Sequence, residues 1–143
     1  MTDKIFPHPS SITALLISPF ESDHVFMRKM FSHSSWTLYD ASDVDQAIPQ
    51  LREGSIPVVL CSADPQRDSW KAVLRETAEM TNPPRVIVFS RLADERLWGD
   101  VIHNGGYTVL DSPFDKQDAV TNISLAWHSW YLEYRREQTL QCV

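Results

Sequence analysis

Short apolar runs alternate along the chain with longer segments in which apolar residues recur at helical spacing. The runs are rich in β-branched and aromatic residues, which is typical of strands. They predict five strands, at residues 12–18, 36–41, 56–61, 85–90 and 107–112. The intervening segments predict five helices, at residues 21–32, 43–53, 69–80, 93–104 and 116–138.

The alternation of strands and helices indicates an α/β domain built on one parallel sheet. Short connections between unlike elements favour right-handed crossovers, which place helices on both faces of the sheet. The run at 56–61 is apolar without alternation, so it belongs in the centre of the sheet, whereas the less apolar run at 36–41 suits an edge. We expect one domain at residues 12–138, a disordered segment at 1–11 and a tail at 139–143.

Two helices carry more specific expectations. In the first, the spacing predicts that Val25, Phe26 and Met30 face the core. In the second, Pro49 removes a backbone hydrogen bond, so we expect this helix to be kinked or shortened there.

Four of the predicted strands end on a small hydroxyl or thiol. These residues are Ser18, Cys61, Ser90 and Ser112. The carboxyl ends of parallel strands meet at one edge of the sheet, which is where open α/β sheets place their ligand sites. None of these strands ends on a carboxylate or a lysine, so this edge lacks the charged groups that many ligand sites use.

Composition and charge narrow the classes of function. The chain has 143 residues, and its net charge of −6 disfavours a nucleic-acid partner, since such partners are bound through Lys and Arg. The apolar runs are far shorter than the roughly 20 residues that cross a bilayer. The amino terminus lacks the apolar stretch of a secretion signal. The spacing of the two cysteines and five histidines matches no metal motif, so we expect a cytoplasmic protein without a metal or cofactor.

Three segments together resemble the response-regulator receiver domains of two-component signalling. These are IPVVLCSADPQRDSW at 56–70, VIVFS at 86–90 and GGYTVLDSPF at 105–114. The matching positions are Pro65, Asp68, Ser90, Gly105, Pro113 and Phe114. The resemblance implies the CheY-like, flavodoxin-like fold, with five parallel strands in the order 2-1-3-4-5. It also implies a cis peptide bond before Pro113.

The positions that carry receiver chemistry are replaced in this chain. Cys61 stands at the phosphoacceptor aspartate, Ser18 and Pro19 at the acidic pair, and Ser112 at the lysine, while Ser90 keeps the switch hydroxyl. Phosphoryl transfer to a carboxylate needs a nucleophile, a divalent cation and a positive charge on the developing oxygens. The resemblance therefore implies a non-enzymatic signalling module that acts through protein contacts without being phosphorylated.

Two other roles stay open at the same edge. Cys61 is either a buried inert thiol or the reactive group of a redox or small-ligand sensor. A receiver phosphorylated at a non-standard residue such as Asp64 is the other alternative. It needs a cation, for which the nearby acidic residues are Glu21, Asp23, Asp64, Asp68 and Asp111.

The last predicted helix is about 34 Å long at 1.5 Å per residue, which exceeds what covering the sheet requires. Trp130, Tyr131 and Tyr134 lie towards its end, and Trp98 lies on the preceding helix. Aromatic residues are enriched in interface cores. One interpretation is that these four residues form an interface with a protein partner or with a second copy of the chain. The other is that the rings of the last helix pack on their own domain, for example on Trp36.

Overall fold

The computed structural model describes residues 11–53, 56–63 and 69–141. Within them the strands are β1 (Thr13–Ile17), β2 (Thr37–Ala41), β3 (Val58–Ser62), β4 (Arg85–Ser90) and β5 (Thr108–Asp111). The helices are α1 (Glu21–Ser32), α2 (Val44–Glu53), α3 (Ser69–Thr77), α4 (Glu95–His103) and α5 (Lys116–Gln141).

The five strands form one parallel sheet in the order β2-β1-β3-β4-β5. All five residues of β3 are buried, whereas exposed and half-buried residues alternate along β2 at the edge and only its last residue, Ala41, is buried. The predicted α/β fold and strand order are therefore confirmed.

Each face of the sheet carries its own helical layer. Leu16, Leu60 and Ile87 belong to the core cluster that includes the buried residues of α1 and α5. Leu15 and Val59 belong to the cluster that includes those of α2, α3 and α4. Because neighbouring strand residues point to opposite faces, each central strand contributes to both layers.

The prediction for the buried face of α1 is right for Met30 and Phe26, which pack in or against the core, and wrong for Val25. Val25 is 54% exposed, and the buried residues are Asp23, His24, Met27, Met30 and Phe31. Two polar side chains can lie on this face because both hydrogen bond to Ser18, as the site geometry below shows. Apolar spacing alone could not predict that polar side chains would find hydrogen-bond partners on this buried face.

Pro49 does not end its helix, because α2 continues through it to Glu53. The hydrogen bond that proline cannot donate would have reached the carbonyl of Asp45, one turn earlier. Both residues are exposed, so water can solvate that carbonyl. The predicted shortening of this helix at Pro49 is wrong.

The last helix is longer than predicted. It runs from Lys116 to Gln141, which corrects both the expected end at 138 and the expected tail at 139–143. Thr139 donates a hydrogen bond to the carbonyl of Arg135 at 3.0 Å, one turn back. No glycine or proline interrupts this segment, so nothing in the backbone ends the helix earlier. Residues 142–143, and 1–10 of the expected disordered segment, lie outside the described residues.

Side chains near the start of β4 anchor α5 to the amino-terminal edge of the sheet. Arg85 donates from Nε to Oγ of Ser129 at 3.0 Å and from Nη2 to the Ser129 carbonyl at 3.1 Å. Asn82 donates from Nδ2 to the carbonyl of Trp130 at 3.0 Å. Burial lowers the pKa of the Arg85 guanidinium. These bonds fix the position of α5 along the sheet.

Gly106 connects α4 to β5 at a point of close backbone approach. A Cβ built there would overlap Cγ1 of Val101 and lie 3.1 Å from its carbonyl oxygen. We expect Gly106→Ala to lower the free energy of unfolding by about 1–3 kcal/mol, because the buried valine has little room to move. Urea denaturation measures this change.

The matched control is Gly99→Ala, in the exposed part of α4, where a Cβ meets nothing within 4 Å. Alanine is the better helix former by about 1 kcal/mol, so this change should leave stability unchanged or raise it. Equal effects of the two substitutions would contradict the proposed steric conflict at Gly106.

Candidate functional site

A cavity of about 150 Å³ lies at the carboxyl edge of the sheet. Three serines contribute to its lining, one from the end of β3, one from the end of β4 and one after β5; they are Ser62, Ser90 and Ser112. Phe20 and Phe89 provide apolar wall. The predicted position of the site at this edge thus coincides with a cavity in the structure.

Cys61 is not among the residues that line this cavity. Its side chain is fully buried in the layer of α2, α3 and α4. Desolvation by burial raises the pKa of its thiol to about 12. Ser62, the next residue, lines the cavity instead, because successive strand residues point to opposite faces.

Ser18 brings a carboxylate to the cavity. Its hydroxyl donates to Oδ2 of Asp23 at 2.6 Å and accepts a hydrogen bond from the Phe20 backbone amide at 3.1 Å. Asp23 lies in the first turn of α1, is 7% exposed and lines the cavity. The neighbouring Pro19 is exposed and offers no ligand atom from its side chain.

His24, the residue after Asp23, contacts both Ser18 and the edge strand β2. Its Nε2 donates to the Ser18 carbonyl at 2.9 Å, because a carbonyl can only accept. Its buried Nδ1 has no hydrogen-bond partner and lies 3.4 Å from Oδ2 of Asp40. Arg28 donates from Nε and Nη2 to the same carboxylate oxygen, at 3.1 and 2.8 Å. α1 is thereby tied to both β1 and β2.

The loops after β4 and β5 complete the wall of the cavity. The Ser90 hydroxyl accepts a hydrogen bond from the Leu92 amide at 3.0 Å, and the Ser112 amide donates to the Ser90 carbonyl at 3.0 Å. The Ser112–Pro113 peptide bond is cis. Phe114 then packs on Phe89, with ring centroids 4.8 Å apart.

The acidic residues that the alternative of a non-standard phosphorylation site needs for a cation do not assemble among the described residues. No group of three His, Cys, Asp or Glu side chains there is placed to hold a metal ion. Asp23 lines the cavity, whereas Glu21 and Asp111 are exposed and do not line it. Asp64 and Asp68 lie outside the described residues.

The aromatic residues proposed as an interface separate into two groups. Trp130 is only 6% exposed, so the expectation that its ring is available to a partner is wrong; it stacks on Tyr134 at 5.3 Å. Tyr131 stacks on Trp127 at 4.9 Å and packs against the core. Trp98 on α4 is 53% exposed. Trp130 and Tyr131 therefore pack on their own domain, which is the second of the two alternatives for the rings of this helix.

Comparison with solved structures identifies the fold. The signal receiver domain of an HD domain-containing protein from Pseudomonas fluorescens Pf-5 is 23% identical, with a TM-score of 0.79 over 89% of this chain and 94% of that one. A response regulator receiver domain protein from Clostridium thermocellum is 20% identical, with a TM-score of 0.74 over 85% and 98%. The beryllofluoride-activated NtrC4 receiver domain dimer is 18% identical, with a TM-score of 0.73 over 82% and 98%.

The chain has the receiver fold. No protein-family model and no curated protein matches its sequence. At these identities the likeness to receivers concerns the fold, while the residues of the cavity differ from those that the resemblance leads one to expect. None of the described helices is both long and apolar enough to cross a membrane.

The burial of Cys61 predicts a thiol that is unreactive while the receiver fold is intact. Thiolate is the reactive form, and a pKa of about 12 leaves the thiol protonated at pH 8. In a Cys142→Ser background, we expect alkylation by iodoacetamide at pH 8 to be at least a hundredfold slower than in denaturing urea. Mass spectrometry follows the reaction.

A Cys61→Ala protein in the same background is the control, because it should show no alkylation in either condition. Rapid modification of folded Cys61 would contradict the inert interpretation and support the sensor.

Proposed function

We propose that this protein is a receiver-like signalling module that works through protein contacts and is not phosphorylated. In this proposal it is a cytoplasmic, non-enzymatic component of a two-component or related pathway. Its output depends on which partner it binds or on self-association, and no cofactor takes part.

The observation that carries this proposal is the chemistry of the cavity. A phosphoacceptor site needs an ionised nucleophile and enough anionic oxygen ligands for a divalent cation. Among the described residues lining the cavity, Asp23 is the one carboxylate, and Ser18 already occupies one of its oxygens. Cys61 points into the opposite layer, and Ser112 brings a neutral hydroxyl. These groups suit hydrogen bonding better than phosphoryl transfer.

The exposed face of α4 supports a role in protein contacts. Trp98 is 53% exposed and Ile102 is 38% exposed, and the two lie one turn apart on the same side of the helix. Leu92, in the loop before α4, is 75% exposed. One of the similar solved structures is a receiver dimer. We therefore propose that the contact surface of this module includes the outer face of α4, and that a second copy of the chain binds there.

Resistance to phosphorylation is tested with acetyl phosphate and Mg²⁺. We expect the intact mass to stay unchanged, because no described carboxylate combines free access with a cation site. A receiver that is readily phosphorylated, treated in the same reaction, shows that the reagents are active. Appearance of an acid-stable phosphoryl group would contradict the proposal, and its loss in Asp64→Asn would identify the non-standard acceptor.

The role of α4 is tested by sedimentation velocity over a range of protein concentrations. We expect Trp98→Ala to weaken self-association at least tenfold, which corresponds to about 1.4 kcal/mol, because an exposed indole is the kind of residue that carries binding energy. Tyr39→Ala is the matched control, since this 50% exposed aromatic lies on β2 at the opposite edge of the sheet.

A protein that stays monomeric at all concentrations would contradict the second copy as the partner. An equal effect of Tyr39→Ala would contradict the assignment to α4.

A further inference from the structure

The cavity at the carboxyl edge combines a buried charge with apolar walls. Asp23 is 7% exposed and Ser62 is 6% exposed, and both line it. Phe20, Phe89 and Leu92 contribute apolar surface to the same lining. A ligand that fits these walls therefore has an apolar body and a polar group that reaches Asp23.

Asp23 keeps one carboxylate oxygen free. Oδ2 accepts the Ser18 hydroxyl at 2.6 Å, whereas no described residue donates a hydrogen bond to Oδ1. Among the ion pairs of the described residues, none involves Asp23. A largely buried carboxylate without a cation is costly, so the free oxygen favours a positively charged ligand group.

Among the described residues that line the cavity, the one cation forms no ion pair with Asp23. Arg91 lines the cavity, but its side chain is exposed and its guanidinium lies over the ring of Phe20, 5.9 Å from the ring centre. The cavity is thus negative at Asp23, and the accessible positive charge of Arg91 lies against the aromatic wall.

The single free oxygen of Asp23 favours an ammonium over a guanidinium. A guanidinium binds carboxylates best through two parallel hydrogen bonds, which need both oxygens. Asp23 offers one oxygen, and the hydroxyls of Ser62 and Ser112 make no hydrogen bond to described residues. An ammonium has three rotatable donors and needs only one carboxylate oxygen, and the serine hydroxyls that line the same cavity are further acceptors for it.

We propose that this cavity receives the side chain of a lysine from a protein partner. Its ammonium binds Oδ1 of Asp23, and its alkyl stem packs against Phe20, Phe89 and Leu92. A cavity of about 150 Å³ is of the size that holds a benzene-sized molecule in another protein, which suits a butylammonium group. That this lysine belongs to a partner protein rests on the proposed function, because a module that acts through protein contacts brings partner side chains to its surface.

The test is a titration of the full chain followed by amide NMR shifts at pH 7. The probes are n-butylammonium chloride and Nα-acetyl-lysine N-methylamide, with 1-pentanol as the uncharged analogue of the stem. We expect saturable shifts of the Ser62, Ser90 and Ser112 amides with both amines, with a Kd on the order of 1 mM, since the group is small. The alcohol should bind at least tenfold more weakly.

Asp23→Asn should weaken binding of both amines at least tenfold, because it removes the charge while its amide oxygen can still accept from Ser18. Asp111→Asn is the matched control. It makes the same change of charge at an exposed residue that does not line the cavity, and binding should stay within twofold. Leu92→Ser, at a 75% exposed position that should not affect folding, should weaken binding several-fold by removing apolar wall.

Absence of saturable shifts at these amides, or equal binding by Asp23→Asn, would overturn the proposal. If free lysine binds tenfold more tightly than the capped lysine, the conclusion that the ligand is a lysine within a protein is wrong. Failure of these probes would leave the resistance to acetyl phosphate and the effect of Trp98→Ala unchanged, so it would not count against the proposed function. Phosphorylation of the protein would count against that function and not against amine binding.

Discussion

Burial of the sheet on both faces is the constraint on which the arrangement of this protein depends. All five residues of β3 are buried, so its polar groups can reach a ligand only where the strand ends. At that point the two-residue period of the strand decides which side chain turns towards the cavity. Cys61 packs under one helical layer, and Ser62 lines the cavity. Because the Cys61 side chain is buried on that side, the pKa of its thiol is raised to about 12 and the thiol stays protonated at neutral pH.

The one carboxylate of the cavity depends on a chain of hydrogen bonds behind it. Ser18 donates to Asp23, and its carbonyl accepts from His24, so a single residue at the end of β1 positions two residues of α1. Arg28 binds Asp40 on the edge strand β2 and holds the outer side of the same helix. α1 is therefore oriented by polar contacts as well as by Met27 and Phe31. Such networks favour one arrangement because each unsatisfied member would be costly.

The fold could be predicted because strand and helix periods differ strongly and the central strand is apolar throughout. The strand order came from three segments of receiver resemblance, and the cis peptide bond at Pro113 is the isomer that the resemblance implied. Side-chain direction was harder to predict. The resemblance implied that Cys61 lies in the site, but in the sheet its side chain points into the core. Asp23 was only one of five candidate acids, and the short spacing from Ser18 at a strand end was the signal that could have selected it.

The two edges of the sheet use polar groups in opposite ways. At the amino-terminal edge, Arg85 and Asn82 bind carbonyls of α5, and their hydrogen bonds leave that helix fixed. At the carboxyl-terminal edge, Asp23 has an oxygen without a donor among the described residues, and neighbouring serine hydroxyls are in the same condition. The first arrangement stabilises the fold, whereas the second leaves acceptors open to solvent or to a ligand. The free oxygen of Asp23 beside apolar walls is therefore the feature on which the proposed binding of a lysine ammonium rests.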